Sequence, residues 1–149
     1  MGYCNVTEVR SMIKDDALNM IIGDTYIEDV QERESKIIAI IEAAIADADA
    51  EIDGYLAVRY PLPLNTTPSV VNKFSKDIAV YNLFSRLGID ESDREKNYLN
   101  RYKAAVRFLE MLSAGKVDVG IVNKTTAANT GFNLKSSDRL FSRNSLRGM

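Results

Sequence analysis

Residues 35–64, SKIIAIIEAAIADADAEIDGYLAVRYPLPL, constrain the chain more than any other stretch. Apolar side chains recur at Ile37, Ile41, Ala44, Ile45, Ala48, Ile52, Tyr55 and Leu56, the three-and-four spacing of one buried helix face. The many alanines favour a helical backbone and let a neighbouring helix approach closely. Pro61 and Pro63 forbid continuation, because each lacks an amide donor and restricts the residue before it. The segment predicts a core helix faced by Ile37, Ile41, Ile45, Ile52, Tyr55 and Leu56. A turn fixed by Tyr60, Pro61 and Pro63 follows. Upstream, the acidic run 24–34 carries Ile27 and Val30 on the same face, so the helix extends backwards into it.

One amphipathic helix cannot cover its own face, and the flanking sequence supplies partners. Thr67-Pro68 is a helix start, with the hydroxyl at the cap and proline in the first turn. The helix predicted from there to about residue 87 buries Val71, Phe74, Ile78, Tyr81 or Leu83, and Leu87, with Gly88 as its stop. Ser92 and Glu95 have capping-box spacing. They introduce a further helix to about residue 114 with Tyr98, Tyr102, Ala105, Val106, Leu109 and Leu112 on one face and Gly115 at its end. At the other terminus Thr7, or alternatively Asn5, caps a short helix to about Ile13, and residues 17–22 form a helix or turn ending at Gly23. The predicted fold is all-α: a bundle of about four helices over residues 1–115, followed by an extended arm over 116–149.

That division coincides with a change of charge. Residues 1–115 hold 13 basic and 19 acidic side chains, whereas 116–149 hold six basic and two acidic, within a chain of net charge −2. Helical periodicity stops beyond Gly115, and Val117, Val119, Ile121 and Val122 alternate in the manner of one short strand that would need a pairing partner. An arm rich in glycine, serine and asparagine orders only against something else. Its best docking residues are Arg139, Phe141, Arg143, Leu146 and Arg147. The other reading of such a terminus is a solubilising tail.

Function classes fall away in turn. There is no histidine, which removes Ser-His-Asp and Cys-His catalysis and imidazole metal sites. The one cysteine, Cys4, has no base beside it in sequence and is expected to be inert. No phosphate-binding loop, dinucleotide fingerprint or calcium loop occurs. Asp47, Asp49, Glu51 and Asp53 cluster on the long helix, but the Glu-x-x-His of a bundle di-metal site is missing. The cluster is expected to be a solvated acidic face, with Arg59 pairing to one of its carboxylates or to a neighbouring chain. No apolar run approaches the roughly 20 residues of a membrane span, and no signal peptide is visible. The expectation is a cytosolic, non-enzymatic protein with no cofactor, no metal and no sequence-specific nucleic-acid contact.

The order of its elements resembles a known family. Ala48 to Tyr60 reads A-x-x-E-I-D-x-Y-L-x-x-R-Y, then comes P-L, then a helix carrying D-I-A-x-Y-x-L from Asp77 to Leu83. With Tyr3 and Thr7 at the start and an arginine-rich, Phe-containing end, this pattern resembles the Mu-type phage head-completion, or head–tail connector (adaptor), family over essentially the whole length. Residues 117–133 match no motif of it. The resemblance implies a structural virion subunit of the neck between head and tail, made in the bacterial host cytoplasm. It implies a ring of itself, often twelve copies, against the portal on one side and a tail-side connector or stopper protein on the other, with DNA passing through without sequence specificity and no membrane contact. A small helical adaptor or regulator outside the virion, binding one protein through its basic tail, is the alternative.

Overall fold

The long helix dominates the computed structural model, which describes residues 2–23, 29–86 and 93–121. Over these residues the protein is all-α, with α1 (Val6–Arg10), α2 (Asp15–Ile22), α3 (Val30–Leu56), α4 (Ser69–Ser85) and α5 (Asp93–Ser113), and no strand among the described residues. The Asp29 carboxylate opens α3 by accepting the Gln31 amide at 2.9 Å. The helix is about 40 Å long at 1.5 Å per residue. It ends at Leu56, before the prolines are reached, where the Leu56 carbonyl accepts the amides of Arg59 (3.0 Å) and Tyr60 (2.8 Å). The prolines shape the following loop, in which the Leu62–Pro63 peptide is cis.

α3, α4 and α5 form the body. Aromatic contacts Phe74–Phe108, Tyr81–Tyr102 and Phe84–Tyr98 make α4 and α5 antiparallel. Glu51 meets Tyr102 and Arg59 meets the Gly115 turn, so α3 and α5 run parallel and end together. At their centre Ile41, Ala48, Ile52 and Leu56 pack with Val71, Ile78, Leu83, Ala105, Leu109 and Leu112, all buried. Of the predicted face, Ile37 and Ile45 are buried with them and Tyr55 is half-buried. The alternation left open between Tyr81 and Leu83 resolves towards Leu83, while Tyr81 lies half-buried against Tyr102.

Several local details differ from the sequence expectation. Asn5, not Thr7, caps α1: its side chain accepts the Glu8 amide at 2.9 Å and Glu8 returns the bond to the Asn5 amide at 3.0 Å. α1 stops at Arg10 and tightens into bonds from Met12 to Val9 and Ile13 to Arg10. Pro68 itself occupies the cap position of α4, with no side-chain capping bond. No strand forms over residues 117–121. Gly120 takes a φ of 74° and donates its amide to Asp118 Oδ1 at 2.9 Å, an aspartate-stabilised turn that an extended strand would have to break. Residues 24–28, including Ile27, and Leu87, Gly88 and the Ser92 capping position lie outside the described residues.

Candidate assembly surfaces

The carboxylates of α3 are not one solvated face. Within the cluster of Asp47, Asp49, Glu51 and Asp53 only Asp47 is exposed, while the other three are half-buried and engaged. Asp49 Oδ1 accepts the Tyr3 amide at 3.2 Å and lies 3.3 Å from Ser75 Oγ, and the Tyr3 hydroxyl donates to Asp53. On the far side Asn72 donates to the Tyr3 carbonyl at 2.9 Å, and Ser75 Oγ lies 3.1 Å from Cys4 Sγ. Residues 3–4 are thus clamped in the groove between α3 and α4, with both side chains buried. Burial raises the Asp49 carboxyl, against its bonds from Tyr3 and Ser75, which lower it. Burial and the neighbouring Asp53 together raise the Tyr3 phenol. Cys4, raised chiefly by burial, is held protonated. Glu51 accepts from the Tyr102 hydroxyl at 3.0 Å, and the Tyr102 phenol is pushed up to about 12 by burial first and by that carboxylate second. Because Tyr3 and Tyr102 lie about fifty positions from these acids and Ser75 lies 26 from Asp49, helix periodicity could not reveal them.

A second polar group lies inside the seam. Asp77 is 3% exposed on a helix whose neighbours there are apolar. Arg101 of α5 donates to its Oδ1, and Lys73, one turn earlier on α4, lies 3.0 Å from its Oδ2. Sequence reasoning carried Asp77 only as a letter of a motif. An aspartate amid Phe74, Ile78 and Leu83, with arginines on the following helix, was the available signal of a buried pair.

The third region is where the chain leaves α5. Gly115, at φ 75°, ends the helix: its amide bonds the Leu112 carbonyl and the Lys116 amide bonds the Met111 carbonyl, the paired bonds of a Schellman stop. Arg59 does not pair with the acidic residues of α3. It reaches the Val117 carbonyl at 3.5 Å and crosses the Tyr60 ring with its guanidinium carbon 5.9 Å from the centroid. A cation there also meets the negative ends of two parallel helices. Tyr60 is wholly buried beneath this corner, and its hydroxyl has no hydrogen-bond partner among the described residues. Burial first, then Asp118, raises its phenol. Pro61 and Pro63 are exposed and form, with Leu64, Thr66 and Ile121, the walls of an open groove of about 210 Å³.

A polar cleft of about 320 Å³ lies between Ala44, Asp47 and Glu51 of α3 and Asn82, Ser85 and Arg86 at the end of α4. Among the described residues no three His, Cys, Asp or Glu side chains are grouped to hold a metal ion, and no helix is long and apolar enough to cross a membrane. The arm residues Arg139, Phe141, Arg143, Leu146 and Arg147 lie outside the described residues.

Geometry therefore defines a small all-helical protein in which, among the described residues, Asp49, Glu51, Asp53 and Asp77 are engaged in internal contacts. Comparison with known proteins gives its family: the chain belongs to the Bacteriophage Mu Gp36 family, which matches residues 3–135. That match runs through 117–133, the segment that no motif had covered. The chain is 37% identical over 108 residues to gene product J of Escherichia phage Mu, an alignment covering 70% of this chain and 72% of that protein. It is 28% identical over 141 residues to the Mu-like prophage FluMu protein gp36 of Haemophilus influenzae, covering 93% and 94%. This is a phage protein of the Mu type.

Proposed function

We propose that the chain is a non-enzymatic structural subunit of the virion neck, a head–tail connector that assembles as a ring between portal and tail. Membership of the Mu Gp36 family over residues 3–135 carries the reading, because the resemblance to that family implies head completion. The architecture supports it. The helical body is acidic, the arm beyond it is basic, and successive subunits with such opposed surfaces make a head-to-tail contact that closes by rotation. In this reading the arm residues Arg139, Phe141, Arg143, Leu146 and Arg147 dock on the adjacent subunit or the portal. Acidic surface on the body, such as the exposed Asp47, lets passing DNA slide without sticking.

The test is the assembly mass of purified full-length protein across concentrations, alone and with a portal ring. A discrete species near twelve times 16.6 kDa, about 200 kDa, is expected. A monomer in both settings overturns the reading in favour of the single-partner adaptor.

A further inference from the structure

The groove beside the proline loop sits where the arm begins, and its walls suit an aromatic side chain. Pro61, Pro63, Leu64 and Ile121 offer ring and aliphatic surface beside the polar Asn65 and Thr66, and the prolines have almost no side-chain freedom to lose on contact. The space is about 210 Å³, whereas a cavity of about 150 Å³ already accepts benzene. A phenyl ring fits. Two phenylalanines follow Ile121 in the chain, Phe132 and Phe141, and reach separates them. At about 3.4 Å per extended residue, Phe132 lies at most about 37 Å from Ile121 and Phe141 about 68 Å. Only Phe141 outreaches the longest dimension of the body, the roughly 40 Å of α3. Arg139 and Arg143 flank it in sequence, and Asp118, whose carboxylate accepts the amide of groove-lining Gly120, lies at the groove's edge.

We infer that this groove is the receptor for the arm of a second copy, with Phe141 of one subunit seated between Pro61, Pro63, Leu64 and Ile121 of the next. The inference rests on the connector reading and names the surface that the arm engages. A loop of about twenty residues closes at modest entropic cost, so the assignment to a second copy follows from the ring of the connector reading and is what the experiment separates.

Full-length protein carrying the photo-cross-linker p-benzoylphenylalanine in place of Phe141 tests it. Irradiation is expected to join two chains, with the acceptor peptide containing residues 61–66 or 120–121. The same acceptor within a single chain overturns the inference, as does cross-linking elsewhere or none. Thr66→Arg, an exposed position on the groove wall, is expected to lower the bimolecular yield at least fivefold with unchanged helix content; an unchanged yield also overturns it. Assembly mass reads the connector proposal separately. A ring whose cross-links fall elsewhere removes the groove and leaves the connector, while absence of a ring with portal present removes the connector.

Discussion

The α4–α5 seam and the clamp on residues 3–4 hold one body together by different physics. The seam stacks Tyr81 on Tyr102 at 4.1 Å and Phe84 on Tyr98 at 4.5 Å, and tilts Phe74 on Phe108 at 4.8 Å, over a floor of Leu83, Ala105 and Leu109. Its stabilisation scales with apolar area and varies smoothly with small displacements. The clamp holds two residues by hydrogen bonds to named atoms of Asp49, Asp53 and Asn72. Each such bond contributes only about 1 kcal/mol net, but it is lost over a fraction of an ångström. The seam sets how stable the body is. The clamp sets where one end of the chain lies.

The largest effect expected on this contrast comes from Leu109, wholly buried where the three long helices meet. Leu109→Ala should cost about 3 kcal/mol, read as a lowered denaturation midpoint with unchanged slope. An effect below 1 kcal/mol would mean that the seam is not the principal source of stability. Next comes the one place where the seam borrows the clamp's physics. Arg101→Ala leaves Asp77 buried with only the exposed Lys73, and should cost about 2 kcal/mol, discounted from a fully buried pair because Arg101 is partly exposed. If Asp77→Asn combined with Arg101→Ala recovers most of that loss, the cost is the stranded charge and not lost packing.

Tyr3→Phe removes the bond to Asp53 and little area, so about 1 kcal/mol is expected. Its more telling readout is local: amide exchange at residues 3–5 should accelerate while the seam stays protected. Equal acceleration in both regions would erase the distinction. Smallest is a pH effect. The Asp49 carboxyl is raised on folding, so the native clamp binds a proton more readily than the unfolded chain does. Its contribution is therefore full at low pH and declines as pH rises from the ordinary carboxylate range through the raised native value. Tyr3, Cys4, Asp53, Glu8 and Lys76 are the other ionisable groups around the clamp, and Glu8 has the opposite sign, being lowered by its bond from the Asn5 amide. Asp49→Asn should flatten the decline in a stability profile from pH 4 to pH 8. A profile unchanged by the substitution would show that Asp49 does not titrate differently in the folded state.

Much of the bundle core was legible from residue spacing alone. Ile37, Ile41, Ile45, Ile52 and Leu56 repeat with helical period, and so do Ala105, Leu109 and Leu112, because each answers to the local geometry of its own helix. The clamp was illegible for the converse reason. Asp49 and Asp53 share a face in either reading, and whether water or Tyr3 occupies it depends on a chain segment about fifty residues distant. Arg59 was expected to pair with a carboxylate of the long helix or a neighbouring chain, but its destination, a backbone carbonyl at Val117, carries no side-chain signature. The alternating valines after Gly115 suggested a strand because periodicity does not register that Asp118 closes a turn on Gly120. The charge of residues 116–149 was plain from composition, and residues 122–149 lie outside the described residues.

Gly115 joins these observations in a way that bears on how the protein tolerates change. A Cβ at this position would stand 3.0 Å from Arg59 Nη1, in a backbone conformation that side chains rarely adopt. An alanine there would meet two obstacles at once, and the flexible guanidinium would yield by releasing the Val117 carbonyl. The course of the chain from α5 to Ile121 is thus keyed to the room for one hydrogen atom. Sequence drift in this family should therefore be narrow at Gly115.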